Sequence, residues 1–266
     1  MLVDCHVHLD SFTDEEVSDV MDRASAAGVG FVISAGTTLG SSERAVELSG
    51  TFPNVFAGVG VHPMDIDTRL DETAYDRLRA LASSSEKVLV MSEIGLDFME
   101  GTPDRAVQFE AFRDQIRIAK ELRLPIVFHS RKSHDDVLRV LREEQAYDVG
   151  GVMHYFQASD RTAREAIDLG FYISLARPLL RLSELQAVAR GLPLDRIVLE
   201  TDTAPQPFKA KRENWTEPRH TREVAEKIAE LHGKTVEEVE ETTTANVRHL
   251  LGERWAVVER YIGNTL

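Results

Sequence analysis

The chain has 266 residues, 42% of them hydrophobic, and a formal net charge of −14. This length suits one large or two small domains and allows burial of about 70–75% of the unfolded surface, while the single cysteine, Cys5, excludes an internal disulfide framework and fits a reducing compartment. No apolar run reaches the roughly 18 residues of a membrane span and no signal peptide precedes the first strand, so we expect a cytoplasmic protein without membrane contact. The net negative charge excludes a protein that binds polyanions in general, because such a protein would be basic.

Short apolar runs alternate with longer amphipathic segments along the chain. Eight runs rich in Val and Ile predict strands at 2–7, 30–35, 55–61, 88–94, 125–129, 151–154, 171–175 and 197–201. Helical spacing between them predicts helices at 14–27, 42–49, 71–82, 104–124, 134–144, 160–169, 183–190 and 217–231, followed by an additional helix at 236–251. Thr13 and Glu16 have the spacing of a capping box for the first helix.

Eight alternating β-α units predict a parallel sheet. Their number and the chain length favour an α/β fold of the closed (β/α)8 TIM barrel type, with an additional C-terminal helix, over an open sheet. We expect residues 1–266 to form a single domain, because no linker, low-complexity tract or charge block divides them. The longest irregular stretch, 203–216, follows the eighth strand, and such loops build the active face of a barrel.

Six side chains of metal-ligand type occur at the predicted carboxyl ends of strands. His6 and His8 are two residues apart, so their side chains share one face of strand 1, and Cys5 is expected to face the helices as a small buried apolar residue. The other four end strands 4, 5, 6 and 8: Glu93, His129, His154 and Asp202. Each alone is more often a cap, a surface carboxylate or a structural histidine. Together, four imidazoles and two carboxylates in one barrel mouth indicate a bound cation.

The mixed nitrogen and oxygen set is sufficient for two divalent metal ions that share a bridging carboxylate. Imidazole argues against Ca²⁺ and favours Zn²⁺, Mn²⁺, Fe²⁺ or Ni²⁺, while Mg²⁺ usually takes fewer protein ligands but is abundant in cells. Two ions suit hydrolysis, because they acidify water, hold a substrate oxygen and stabilise the leaving group. Phosphodiester, amide and lactone hydrolysis all use these functions, so the metal set leaves the substrate open.

Eight sequence segments are distributed along almost the whole chain, from about Val3 to Leu251. They read DCHVHLD at 4–10, GVGVHP at 58–63, SEIGLDF at 92–98, QFEAFRDQIRIAKELRLPIVFHSR at 108–131, GGVMHYF at 150–156, LGFYIS at 169–174, LDRIVLETD at 194–202 and TTTANVRHLLG at 242–252. In this order they resemble the TatD family of metal-dependent deoxyribonucleases, part of the wider amidohydrolase-like barrel group.

The resemblance implies how the two ions are held and which residues carry the chemistry. His6 and His8 hold one ion together with Glu93 and Asp202, and Glu93 bridges to a second ion held by the remaining histidines, His129 and His154. The resemblance also implies that Asp202 orients or deprotonates the nucleophilic water. The expected catalytic residues are Asp202, Glu93 and His62, and the expected metal ligands are His6, His8, Glu93, His129, His154 and Asp202.

Three further residues take roles from the same resemblance. His62, after strand 3, is expected to contact the scissile phosphate. Asp97 and Glu200 are expected to orient ligating imidazoles. Without the resemblance, His62 would be interpreted as a solvated loop histidine and Glu200 equally well as a buried structural carboxylate.

Loops at the mouth depart from the family pattern. Ser92 stands where Gly usually precedes the glutamate, Gln157–Ala158 replace Ser/Thr-Gly, and Arg177–Pro178 stand near a missing Gly after strand 7. ETDTAPQPF follows strand 8 in place of ETD-S/A-P-Y-L, and an Arg-Asn-Glu-Pro motif is loosened across 212–218. The expected metal ligands are intact, but the loops that face substrate are atypical.

Cations are frequent after strands 5 to 8, at Arg131, Lys132, Arg161, Arg177, Arg181, Lys209, Lys211 and Arg212. A local cationic rim could recruit a phosphate backbone despite the net negative charge, although ordinary surface solubility explains any one of them equally well. Phe208 and Trp215 could stack on an unpaired base or pack against the barrel.

We therefore expect a divalent-metal-dependent hydrolase, a deoxyribonuclease that cleaves DNA phosphodiester bonds at single strands or ends. One alternative is an amidohydrolase or lactonase of a small molecule. Many such barrels bridge their metals with a carboxylated Lys, whereas Glu93 takes that place here and no Lys ends strand 4 or 5. The second alternative is a nucleic-acid-binding module with an inactive site. The altered loops suggest this alternative, and the intact set of expected metal ligands argues against it. The sequence leaves the oligomeric state open.

Overall fold

The computed structural model describes residues 1–66 and 69–263 of the chain. Its strands are β1 (Leu2–Val7), β2 (Val29–Ala35), β3 (Val55–Val59), β4 (Val88–Asp97), β5 (Ile126–Arg131), β6 (Gly151–Met153), β7 (Tyr172–Leu175) and β8 (Ile197–Leu199). They pair in parallel in the order β1 to β8. Val7 and Thr203 form a parallel bridge across the remaining seam. The predicted (β/α)8 barrel is confirmed.

Helices follow the strands in turn. In the described part of the chain they are α1 (Asp14–Ala26), α2 (Leu39–Thr51), α3 (Glu72–Ala82), α4 (Arg105–Leu122), α5 (His134–Glu143), α6 (Asp160–Asp168), α7 (Ser183–Gly191), α8 (Thr221–His232), α9 (Val236–Leu251) and α10 (Trp255–Ile262). Thr13 and Glu16 form the predicted capping box on α1. The predicted additional helix is α9, and α10 is a further helix that the sequence analysis did not predict. None of the described helices is both long enough and apolar enough to cross a membrane.

Two apolar layers hold the barrel together. An outer cluster lies between the strands and the surrounding helices, with Phe112 and Leu138 among its fully buried members. An inner cluster takes residues from every strand and joins them to α9 and α10 through Val247, Leu251, Trp255, Val258 and Ile262. Asn246 donates to the carbonyl of Ile197, at the amino end of β8. These two helices therefore close the amino end of the barrel and leave its carboxyl end open.

Three details differ from the sequence-based expectations. Strand β4 continues past residue 94 to Asp97, because Ile94, Gly95, Leu96 and Asp97 pair with β5, so Glu93 lies within the strand. Cys5 belongs to the inner cluster and not to the outer cluster between the strands and the surrounding helices. The pairing register of β1 with β2 shifts between Asp4 and Val7, and this irregularity breaks the strict alternation of side chains. The expected domain limits, 1–266, include residues 67–68 and 264–266, which lie outside the described part of the chain.

Candidate metal centre

Glu93 lies at the centre of the open end of the barrel, and its side chain is 5% exposed. Its Oε2 atom lies 3.4 Å from Nε2 of His6 and 3.7 Å from Nε2 of His8. Its Oε1 atom lies 2.8 Å from Nδ1 of His129 and 3.4 Å from Nε2 of His154. Each carboxylate oxygen thus faces a different pair of imidazoles, an arrangement that suits a bridging ligand.

Asp202 lies beside the same group, just after β8. Its Oδ1 atom is 3.3 Å from Nε2 of His8, 3.8 Å from Nε2 of His154 and 3.9 Å from Nε2 of His6. Its φ of 55° lies in the left-handed region, which Asp tolerates better than most residues. The Asp202 amide donates to the carbonyl of His6 at 3.0 Å, so the seam between β8 and β1 fixes this carboxylate against the histidine pair.

These spacings are near the distances between ligand atoms that share one ion. Two donors that each lie about 2.0–2.2 Å from one tetrahedral ion are separated by about 3.3–3.6 Å. Most of the imidazole-to-carboxylate distances here are between 3.3 and 3.9 Å. Three overlapping triads keep their ligand atoms within 4.8 Å of one another: His6–His8–Glu93, His6–His154–Asp202 and His62–Glu93–His129. The donor set therefore fits divalent cations.

In three of the imidazoles, the ring nitrogen that is directed away from the Glu93 and Asp202 carboxylates has a fixed partner. Nδ1 of His8 donates to the carbonyl of Ala35 at 3.0 Å. Nε2 of His129 faces Oδ2 of Asp97 at 2.8 Å, and Nδ1 of His154 faces Oε2 of Glu200 at 3.0 Å. Such contacts set the tautomer and the ring orientation, so the other nitrogen of each ring presents its lone pair to an ion.

Asp97 and Glu200 are both fully buried behind these rings. Asp97 also accepts a hydrogen bond from Nε of Arg131 at 2.6 Å. Burial raises the pKa of Asp97, but contacts with His129 and Arg131 outweigh it and lower the pKa to about 2. Glu200 accepts from the backbone amide of Tyr155 at 2.6 Å, and Tyr155 has a φ of 46°, which is uncommon for a bulky residue.

The site has a strong internal electrostatic field. Burial lowers the pKa of His8 and of His154, but the surrounding carboxylates outweigh it and raise these pKa values to about 9 and about 10. Burial opposes ionisation of Glu93 and Asp202, yet the neighbouring imidazoles hold both pKa values below the usual range. His6 is the exception, because burial and the charge of His154 lower its pKa. The two carboxylates are thus arranged to neutralise positive charge.

His62 joins the group from the loop after β3. Its Nδ1 accepts a hydrogen bond from the amide of Met64 at 3.1 Å, so the proton of the neutral ring lies on Nε2. That Nε2 atom lies 3.4 Å from Oε1 of Glu93. His62 therefore stands as close to Glu93 as His154 does, and it presents a donor to the open end of the barrel.

A cavity of about 600 Å³ opens over these residues. Its walls include six side chains to which the sequence analysis assigned no site role: Thr37, Ser130, His134, Tyr155, Gln157 and Ala204. Most come from loops, where no periodic pattern places a side chain. Asp4 was also missed, although it begins the DCHVHLD segment. It is buried behind His6 and accepts from Thr201 Oγ1 at 2.5 Å, and burial raises its pKa to about 8.

The expected cationic rim is only partly assembled. Arg131 and Lys132 line the cavity. Four other cations of the expected rim form ion pairs with nearby carboxylates: Arg161 with Asp135, Arg177 with Glu223, Lys211 with Glu213 and Arg212 with Glu217. Trp215 packs against Phe12, with 6.2 Å between ring centroids, and under the Arg212 guanidinium. Phe208 is 80% exposed.

Comparison with known proteins agrees with the fold. The sequence profile described as TatD related DNase matches residues 3–252. An uncharacterized metal-dependent hydrolase of Bacillus subtilis, YabD, is 37% identical over 257 residues, which cover 94% of this chain and 98% of that protein. The 3′-5′ ssDNA/RNA exonuclease TatD of Cronobacter sakazakii is 34% identical, covering 89% of this chain and 92% of that protein. The crystal structure of the TatD homologue YJJV from Escherichia coli superposes with a TM-score of 0.85 at 26% identity, covering 94% of this chain and 97% of that one.

Proposed function

The chain belongs to the TatD-related DNase family and is a metal-dependent hydrolase, and we propose that it cleaves phosphodiester bonds in single-stranded DNA. The exonuclease from Cronobacter sakazakii, which is named for single-stranded DNA and RNA, supports a nucleic acid substrate. RNA is accordingly the second polymer to test. We further propose that residues 1–266 act as one catalytic domain.

The observation that carries this proposal is the placement of Glu93 between two groups of ligands. In the proposed centre, His6, His8 and Asp202 would hold one ion and His129 and His154 the other, and Glu93 would be the common ligand. Both faces of the Glu93 carboxylate are already directed at imidazole nitrogens. Candidate ions are Zn²⁺, Mn²⁺ and Mg²⁺, since the set mixes imidazole with carboxylate.

When bound, divalent ions supply Lewis-acid chemistry, which acidifies a water molecule and neutralises the charge that develops on phosphoryl oxygens. Asp202 is the proposed base. Its carboxylate is ionised, because the imidazoles around it keep its pKa low, and its side chain is 30% exposed at the cavity floor. It can orient a water molecule by accepting one of its protons during attack on phosphorus.

His62 is the proposed donor to the substrate. His62 lines the cavity, its Nδ1 accepts from the Met64 amide, and its Nε2 carries the proton 3.4 Å from Oε1 of Glu93. A donor fixed in this way can bind a non-bridging phosphoryl oxygen and stabilise the charge that builds there. Arg131 and Lys132 on the cavity wall provide further positive charge for the phosphate.

A direct test uses labelled single-stranded DNA with purified protein reloaded separately with Mg²⁺, Mn²⁺ or Zn²⁺. We expect metal-dependent shortening of the strand, and we expect His129→Ala to reduce the rate by at least about a thousandfold, in line with loss of a metal ion that activates water. His249→Ala is a matched control, because His249 is an exposed residue of α9, and it should keep the full rate.

A parallel screen of lactones and dihydropyrimidines addresses the small-molecule alternative. Turnover of those compounds without cleavage of DNA or RNA by any metal form would refute the proposed substrate class. Tight DNA binding without any turnover would instead support an idle site.

A further inference from the structure

A second cavity, of about 660 Å³, adjoins the metal cavity. His134 and Gln157 line both cavities, so the two are neighbours that share a wall. The second cavity lies between the loop after β6 and the loop after β7, and its remaining walls come from the beginnings of α6 and α7. Both loops differ from the family pattern, at Gln157–Ala158 and at Arg177–Pro178.

One wall of this second cavity is aliphatic. Leu182, Leu185 and Val188 line it from α7 and the residue that precedes that helix. Leu182 is 38% exposed, which makes it one of the few large apolar side chains on the described surface. A flat apolar group of substrate can cover such a wall, and burial of the exposed leucine would stabilise the complex.

Arg181 supplies positive charge at the same cavity. Unlike Arg161 and Arg177, it lies within 4 Å of no carboxylate among the residues that the structure describes. Glu184 is the acidic residue that lines the cavity with it. Burial and then the charges of Arg177 and Arg181 lower the pKa of Lys209, which indicates a positive potential on this side of the mouth.

His134 provides a polar group at the shared wall. Its Nδ1 is engaged by Ser130 Oγ at 2.8 Å, which leaves Nε2 as the ring atom available to a ligand. An aliphatic wall, an uncompensated guanidinium and a polar junction with the metal cavity together match the parts of a nucleotide: a base, a phosphate and the backbone that joins it to the next unit.

We infer that the second cavity binds the nucleotide next to the scissile phosphate, with its base against Leu182 and Val188 and its phosphate at Arg181. This inference rests on the proposed function and adds a source of specificity to it. A strand that reaches both cavities gains contacts that a small phosphodiester, held at the metal centre alone, does not make.

The test compares two substrates on the same metal-loaded protein: a single-stranded dT oligonucleotide and the small reporter bis(4-nitrophenyl) phosphate. We expect Arg181→Gln to lower the ratio of kcat/KM for the oligonucleotide to kcat/KM for the reporter by about tenfold, because one charge-assisted contact with phosphate is lost. Arg181→Lys should recover part of that ratio, and Leu182→Ser should lower it. Arg190→Gln, on the far end of α7, is the matched control and should keep the wild-type ratio.

Binding of the labelled oligonucleotide, followed by fluorescence anisotropy at several salt concentrations, gives an independent readout. Arg181→Gln should reduce the slope of log affinity against log salt by about 0.7, the value for one phosphate contact on a single strand. An unchanged substrate ratio together with an unchanged salt slope would overturn the inference. A wild-type protein that cleaves neither DNA nor RNA refutes the proposed function instead, and the anisotropy arm then decides the nucleotide site: equal affinities of wild type and Arg181→Gln refute it.

Discussion

Three of the four proposed metal-binding imidazoles depend on the atom behind them. His8 is held by the Ala35 carbonyl, His129 by Asp97 and His154 by Glu200. These partners fix the ring without occupying the nitrogen that faces the carboxylates. The sequence resemblance implied the roles of Asp97 and Glu200, and the geometry supports them. Ala35 left no sequence signal, because any residue carries a backbone carbonyl.

The variant Asp97→Asn tests this support. Its side-chain amide can still accept from His129 but no longer makes the imidazole more basic, so we expect metal affinity to fall by about 10–100-fold. Competition with a chromophoric chelator measures the change. Asp19→Asn, at an exposed position of α1, is the control and should leave the affinity unchanged. Equal affinities of Asp97→Asn and wild type would show that Asp97 does not support the metal ligand.

The raised pKa values of His8 and His154 predict how stability depends on pH. In protein stripped of metal, protonation of these rings stabilises the fold fully below pH about 6.5, the ordinary value for histidine. That stabilisation is lost as the pH rises through about 9 and about 10. We therefore expect the Tm of chelator-treated protein to fall between pH 7 and pH 10.

Metal-loaded protein should not show this fall, because metal replaces the protons on the same nitrogens. Thermal melts of both forms across that pH range provide the measurement. Parallel curves for the loaded and stripped protein would contradict the expected exchange of protons for metal.

At the scale of elements, the periodicity of apolar residues predicted the strands and helices better than it predicted which way individual side chains face. Alternating apolar runs were sufficient for eight strands and their helices, because burial on both faces of a parallel sheet leaves a clear pattern. The irregular register of β1 near His6 was not predictable, since a bulge has no required residue type. For the same reason Cys5 was placed on the wrong side. Loop residues such as Tyr155 and Gln157 line the cavity without a sequence signal.

The two C-terminal helices provide a separate test of the fold. Trp255 packs in the inner cluster beneath the barrel and is 7% exposed. Trp255→Ala should lower the free energy of unfolding by about 3–5 kcal/mol, as for other large aromatic residues removed from a core. Denaturant titration measures the loss, with Tyr147→Ala at an exposed position as the control.

Because α10 lies at the opposite end of the barrel from the metal centre, kcat/KM of the folded Trp255→Ala protein should remain near the wild-type value. A loss of stability below about 1 kcal/mol would show that α10 does not close the core.

At the scale of the molecule, the candidate metal centre crosses the seam that closes the barrel. The Asp202 amide donates to the His6 carbonyl and the His8 amide to the Thr203 carbonyl, so the proposed ligands on the two sides of the seam are backbone neighbours. Binding to the folded state alone stabilises a protein by about 4 kcal/mol when a ligand is present at about 1,000 times its Kd. Removing metal should therefore lower the global Tm, and calorimetry with and without chelator checks this. An unchanged Tm would mean that the ions do not link the seam.

The whole-molecule charge sets the context for this centre. A net charge of −14 opposes approach of a polyanion, so attraction must come from bound cations and from the few free cationic side chains at the mouth. The sequence predicts that this attraction is local. The sequence did not show which cationic residues of the rim form local ion pairs, because such pairing depends on loop conformation.

The bridging position of Glu93 is the central claim, and counting metal ions per chain tests it most directly. Elemental analysis of reloaded protein should find two ions per chain in wild type and in the control Glu100→Gln, whose exposed carboxylate lies on the loop after β4. Glu93→Gln should hold no more than one ion and should not cleave DNA. Two ions retained by Glu93→Gln would contradict the account.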